Sequence, residues 1–218
     1  MTIFGFKFYW FEKYYLFYVW GLELTLKLAL ATVGLATVFG ILIGLMRLSH
    51  NKLISSVAAG WVNFIRGIPV MLQVYIVYYG LSFPISDFWA AVIALTINSS
   101  AYISETVRAG IQAVDKGQME AARCVGMRYG QAMWHIVIPQ AIKNILPALC
   151  NEFILLIKNT SIVSVIGLHE LTYRTNAIRS NTYLAFEPLI VSAIIYFVVT
   201  YVLKKLVGIL ERRLQASD

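Results

Sequence analysis

The stretch "EAARCVGMRYGQAMWHIVIP", Glu120 to Pro139, sits between apolar segments yet carries Glu120, Arg123, Arg128 and His135. The rest of the chain is strongly hydrophobic, so a polar insert punctuated by alanine and glycine needs a reason. The 218 residues are 59% hydrophobic and only 13% charged, with a mean hydropathy of +0.71. Soluble domains carry roughly a quarter charged residues, so this composition belongs to a membrane protein. Leu28–Met46, Gly67–Ser86, Phe88–Ser104 and Pro188–Leu203 contain no Asp, Glu, Lys or Arg. Each approaches the length a helix needs to cross a ~30 Å hydrocarbon core. A fifth span, about Gln140 to Ile157, is interrupted only by Lys143 and Glu152 near its ends. The expected fold is all-α, a polytopic membrane protein of about five transmembrane helices, in a single domain over residues 1–218.

The net charge of +7 does not form the stripe that nucleic acid would require. With the N-terminus outside, the inside connections hold Arg47, Lys52, Arg108, Lys116, Arg123, Arg128, Lys143, Lys204, Lys205, Arg212 and Arg213. The outside ones hold Lys7, Lys13, Lys158, Arg174 and Arg179. Positive charge accumulates on the cytoplasmic side of membrane proteins, so the chain is oriented N-out and C-in. The insert then faces the cytoplasm. Cys124 and Cys150 are read as small apolar fillers, neither a disulfide framework nor a metal site. The first alanine is Ala29, so no cleavable signal is expected. The opening aromatic run, through Trp20, suits the membrane–water interface.

Span one is expected from about Tyr18 to Met46, with Glu23 and Lys27 paired at i, i+4. Gly34, Gly40 and Gly44 permit close helix approach. Span two, about Ile54 to Leu81, contains Arg66, Pro69 and Gln73. Pro69 removes a backbone hydrogen bond and Gly67 loosens the turn before it, so the helix kinks or breaks there. A tight outer turn, "SFPISD", leads to span three, about Phe88 to Ile111, where Asn98, Tyr102 and Glu105 share a helix face. Lys158–Tyr183 reads as an outer segment with short helical pieces. The last span ends in a basic, amphipathic tail at the cytoplasmic interface.

The insert itself, about 115–139, reads as two short helices. Gly117 is expected to end one helix, "QMEAARCV" to start another, and Gly126 to supply the left-handed turn that ends it. Pro139 takes the first turn of the next span. Ala121 and Ala122 leave a smooth surface for another protein, with Glu120, Arg123 and Arg128 adding polar contacts. A plain connection needs only a few residues, so the longer insert is read as a docking element.

Glu-Ala-Ala, three residues, Gly, nine residues and Ile-x-Leu-Pro resembles the coupling-loop signature of ABC importer permeases. Here it is Glu120-Ala121-Ala122, Gly126 and Ile136-Val137-Ile138-Pro139, with Ile138 replacing the usual leucine. The flanks "FIRGIPVMLQVYIVYYGL", "INSSAYISETVRAGIQAVDKGQMEAAR" and "LPALCNEFILLIKNTSIVSVIGL" are similar to the polar amino acid uptake subfamily. The resemblance covers about Leu22 to Arg213. It implies a type I importer permease fold in a prokaryotic cytoplasmic (inner) membrane. It also implies that Glu120, Ala121, Ala122, Arg123, Gly126 and Arg128 engage a cytoplasmic ATP-binding cassette subunit in two copies. A second permease chain, identical or similar, and an extracytoplasmic solute-binding protein complete the implied assembly. The chain has no Gly-x-x-x-x-Gly-Lys-Ser/Thr loop, so ATP and Mg²⁺ belong to the partner and this chain is not itself an enzyme.

Polar groups at membrane depth are costly and default to functional candidates. An amino acid needs an acceptor for its ammonium and donors for its carboxylate. Glu152 suits the first role, Asn98 and Gln73 the second, and Tyr102 a closing ring. The competing reading for each is interhelical hydrogen bonding. Arg66, Pro69 and Glu105 are read as gate or packing residues. The substrate expected is a polar or basic amino acid: arginine, lysine, histidine or glutamine. An ion-coupled secondary transporter is the alternative, though it leaves the cytoplasmic insert unexplained. A membrane-embedded hydrolase is disfavoured because His50, His135 and His169 are scattered without metal-ligand spacing.

Overall fold

The computed structural model describes residues 2–3, 6–7, 9–80 and 85–215. A short antiparallel pair, β1 (Thr2–Ile3) with β2 (Phe6–Lys7), precedes the helices. These are α1 (Phe11–Arg47), α2 (Lys52–Gly67), α3 (Val70–Gly80), α4 (Asp87–Gln112), α5 (Lys116–Cys124), α6 (Tyr129–Ala132), α7 (Ile138–Asn159), α8 (Leu171–Thr182) and α9 (Glu187–Gln215). A π-helical segment, Met133–Val137, joins α6 to α7, and a 3₁₀ segment, Thr160–Ile166, continues α7.

Among the described residues, three helical runs are long and apolar enough to cross a membrane: Phe11–Arg47, Tyr129–Ile166 and Glu187–Arg213. The pair α2 and α3 adds a fourth when counted together, bent by 102° at the break. The break falls where Gly67 and Pro69 place it. Ile68 is extended (φ −102°, ψ 133°), as a residue before proline prefers. The Pro69 carbonyl then accepts the N–H groups of Leu72 and Gln73 to start α3. Of the spans expected from sequence, α4 is long enough but falls short in hydropathy. Its Thr96, Asn98, Ser99, Ser100 and Ser104 are all buried. The exposed faces of α1 and α9 are apolar instead, with Leu30, Val38, Phe39 and Leu42 on one and Ile194, Phe197, Val198 and Val202 on the other. Contiguous apolar surface of this kind suits lipid.

The chain forms two compact units, the division falling within α1, α4, α7 and α9. The first comprises Met1–Val33, Pro69–Thr96 and Phe153–Lys204. Its core gathers Leu28, Val74, Ala91, Val92, Leu95, Val163 and Ile166. A second cluster sets Trp10 and Tyr18 against Leu171 and Ile178, and a third centres on Ala29, Leu156 and Ile157. Trp10 and Tyr18 are thus core residues; the interfacial reading of the opening aromatics fails for these two. The Tyr18 hydroxyl donates to the Pro188 carbonyl at 3.0 Å, which accounts for its inward position. Phe4, Gly5 and Phe8 of that aromatic run lie outside the described residues, as does part of the "SFPISD" turn.

The second unit comprises Gly34–Ile68, Ile97–Glu152 and Lys205–Asp218. Ala58, Val62 and Ile65 form the buried stripe of α2, at i, i+4, i+7, and Val62 and Ile65 meet Ala101 of α4. Gly40 and Gly44 let α1 press directly on the Ser100–Val107 backbone of α4. The seam ends in charge: Glu105 of α4 accepts from Arg47 of α1 through one carboxylate oxygen and from Arg108 through the other.

Buried hydroxyls are mostly satisfied within their own helices. Ser100 and Ser104 donate to the carbonyls of Ile97 and Ala101, Thr160 to Ile157 and Thr175 to Leu171, at 2.7–2.9 Å. Bonding back to the preceding turn removes the desolvation cost that unpaired hydroxyls would carry. Thr25 is bonded across helices instead, accepting the Leu171 N–H at 3.2 Å, and Thr32 and Thr96 are buried without a partner among the described residues.

Candidate functional site: the Glu120–Pro139 insert and the polar residues of the spans

The insert is built around α5. Asp115 caps its start, its carboxylate accepting the Gly117 N–H at 2.9 Å. Gly117 therefore sits in the first turn of α5, not at the end of a preceding helix; α4 already stops at Gln112. A side-chain cap is worth about 1 kcal/mol, enough to move the helix start upstream of the glycine. The other end follows the expectation. Gly126 takes φ +90°, its N–H donating to the Arg123 carbonyl and that of Met127 to Ala122. This paired closure requires a left-handed residue just past the helix, which glycine provides without steric cost.

Exposure separates the six coupling candidates. Glu120, Ala121, Arg123 and Arg128 are exposed, while Ala122 is buried on the side of α5 that packs against α6 and the π segment. The smooth outer surface expected of both alanines is thus Ala121's alone; one helical step of about 100° turns Ala122 inward. Sequence reasoning did not single out the exposed apolar residues of the insert. Val125 is 80% exposed and Trp134 68%, both within the insert. Arg128 starts α6, its N–H donating to the Gln131 side chain at 3.0 Å. The insert is braced by Gln140, which donates to Gln118 at 3.4 Å and to the Ile136 carbonyl at 2.9 Å. A cleft of about 500 Å³ runs along its base, lined in part by Val114, Met119, Tyr129 and Met133.

Pro139 falls in the first turn of α7, as expected, but no break precedes that helix. The helical run is unbroken from Tyr129 to Ile166, and Pro139 lies inside it. Proline lacks the N–H for the carbonyl four residues back and its ring collides with it. The π segment widens the helix just there, with the Ile138 N–H reaching back to Met133. The bulge accommodates the ring, so the helix continues.

The polar candidates in the spans divide. Asn98 is buried in α4, and Gln73 is buried in α3. Tyr102 is 38% exposed, with the Arg66 guanidinium 5.2 Å over its ring. Glu105 is held by Arg47 and Arg108, so packing describes it. Glu152 is half-buried on α7, with no hydrogen-bond or ion-pair partner among the described residues.

A further carboxylate escaped the sequence reading. Glu170, fully buried, caps α8: its oxygens accept from the Thr172 and Tyr173 N–H groups at 2.8 and 2.7 Å and from the Tyr196 hydroxyl at 3.1 Å. Burial pushes its carboxyl up to about 7, although these donors pull the other way. Its position one residue before a helix is the only signal in the sequence.

Residues 36–216 match the family model described as "Binding-protein-dependent transport system inner membrane component". The chain belongs to that family. Family membership sets aside the ion-coupled alternative. The chain is 42% identical to the arginine transport system permease protein ArtQ of Bacillus subtilis (strain 168), over 91% of its length and 92% of the relative's. It is 40% identical to the probable glutamine ABC transporter permease protein GlnM of the same organism, covering 92% and 94%. A crystal structure of an amino acid ABC transporter with histidines shares 48% identity over 98% of this chain and 100% of that one, at a TM-score of 0.91. The MetNI methionine ABC transporter, inward facing, superposes at 0.76 with 18% identity, a likeness of fold.

Proposed function

We propose that this chain is the membrane permease subunit of an ATP-driven importer for polar or basic amino acids, working by alternating access. The observation that carries the reading is the capped α5 knob, which presents Glu120, Ala121 and Arg123 beside the exposed Val125. On this reading the knob docks in a groove of a cytoplasmic ATP-binding subunit, present in two copies, which binds ATP and Mg²⁺. A second permease chain completes the pathway, and an extracytoplasmic solute-binding protein delivers substrate. The host is a bacterial inner membrane, crossed about five times with the N-terminus outside. The arginine and glutamine permeases among its relatives support the substrate class.

The test is copurification with the ATP-binding subunit, comparing wild type with Glu120→Arg combined with Gly126→Val. Reversing the charge and placing a β-branched residue at φ +90° removes both the contact and the turn that shapes it. The double variant is expected to lose association, or to lose ATPase stimulation by amino acids in nanodiscs. Wild-type behaviour in the variant would refute the coupling role.

Asn98, Tyr102 and Glu152 are the proposed substrate contacts of the second unit, with Gln73 a separate candidate in the first. Glu152 accepts the ammonium or guanidinium. Losing a charge-assisted contact costs about 1.5–3 kcal/mol, so Glu152→Gln should raise the half-saturating amino acid concentration about ten- to hundredfold. Glu152→Asp should recover part of it. Unchanged stimulation across substrate concentrations would remove Glu152 from the site.

A further inference from the structure

Tyr183 closes α8 in the left-handed region, φ 56° and ψ 23°, and is the one non-glycine residue with positive φ among the described residues. Glycine is the residue this position favours. The ring gains nothing from the fold in return, since 94% of the residue is exposed. A strained backbone holding a bare aromatic ring away from its own protein marks a functional position. Beside the ring lies an open pocket of about 490 Å³, lined by Asn176, Arg179, Ser180, Leu184 and Ala185. Arg179 is fixed there, donating through Nη1 to Asn176 at 2.9 Å and through Nε to the Ala185 carbonyl at 3.0 Å. The opposite side of α8, Leu171, Thr175 and Ile178, is buried, so the polar side faces outward.

Sidedness follows from chain order. One apolar run, Tyr129–Ile166, separates α8 from the α5 knob. With the knob in the cytoplasm, as the proposed function has it, the Tyr183 patch lies on the external face. The family is one of binding-protein-dependent transport, and an exposed aromatic ring beside a fixed guanidinium is the composition of an interface hot spot. We propose that Tyr183, Arg179 and Asn176 form the surface on which the solute-binding protein docks, its own surface offering a shallow apolar pocket rimmed by carboxylates. A bilayer headgroup layer fits less well, because the face around the ring carries Asn176, Ser180 and Asn181, all exposed. The assignment rests on the importer reading.

The test uses the whole transporter, permease with ATP-binding subunit in nanodiscs, titrated with the purified, substrate-loaded solute-binding protein. The readout is the concentration giving half-maximal ATPase stimulation. Tyr183→Gly should raise that concentration about tenfold without lowering the thermal midpoint, because glycine suits the backbone better than tyrosine does. Tyr183→Phe should stay within about twofold of wild type, since the ring is the anchor. A Tyr183→Gly curve that superimposes on wild type would overturn the docking patch and leave the ring as a membrane-interface contact. A lowered maximum with an unshifted half-point would overturn it too, marking a role inside the fold. If wild type itself answers to no binding protein, the importer reading falls and the patch with it.

Discussion

Gly40→Ala should lower the apparent thermal midpoint of the detergent-purified protein by several degrees, and Gly34→Ala should leave it unchanged or slightly raised. The two glycines lie in the same helix and differ only in what a methyl group would meet. At Gly40 the new carbon would stand 2.5 Å from Ile103 Cγ2 and 2.7 Å from its Cβ, with the Ser100 carbonyl at 3.2 Å. Ile103 is fully buried and its Cβ moves only with the α4 backbone, so the helices must separate. Overpacking of this kind costs about 1–3 kcal/mol. For a chain of this length that corresponds to roughly 2–4 °C per kcal/mol. At Gly34 nothing lies within 4 Å, and alanine gains up to about 1 kcal/mol in helix propensity. Gly40→Val should exceed Gly40→Ala. Equal midpoints for Gly40→Ala and Gly34→Ala would show that the α1–α4 seam is looser than described.

The second large effect is a pH dependence of stability that disappears in Glu170→Gln. Its carboxyl is pushed up to about 7 when folded, against an ordinary value of 4.5. Between those values the folded protein holds a proton that the unfolded chain has released. Stability therefore falls as pH rises through that window, and the loss is complete a little above 7. The full difference amounts to at most about 3 kcal/mol. His169, exposed and stacked on Tyr173 with ring centroids 4.4 Å apart, is common to both proteins and cancels in the comparison. Apparent midpoints measured from pH 4.5 to 8 should decline for wild type beyond any decline in the variant. Parallel curves would remove Glu170 as the cause.

The features legible in the sequence share one property: they are local. Pro69 announces the α2–α3 break and Gly126 the end of α5, because each acts on its own backbone. Glu23 and Lys27 pair at 2.6 Å as their spacing requires. What escaped depends on residues distant in the chain or on small rotations. The Glu105 cluster joins Arg47 and Glu105, 58 residues apart, and no periodicity encodes that. Ala122 differs from Ala121 by one helical step, yet one faces the protein and the other solvent. Pro139 has the look of a helix start, and only the π segment before it lets the helix run on. Glu170 lay in a stretch without apolar periodicity, where burial leaves no trace in composition. The candidate site was therefore readable as a segment, and its orientation was not.

Because the buried hydroxyls of Ser100, Ser104, Thr160 and Thr175 are bonded within their own helical runs, those side chains tie no helix to its neighbour. The directional ties between helices are specific ones, among them Tyr18 to the Pro188 carbonyl, Arg47 to Glu105 and Tyr196 to Glu170; where helices meet through dispersion alone they can slide without breaking a directional bond. The barrier to such shear is then set by how side chains interlock, which is steep for the glycine seam and shallow along smooth alanine-rich surfaces. On the proposed alternating-access reading, internal polar groups that bond within their own helices would keep their partners throughout the movement.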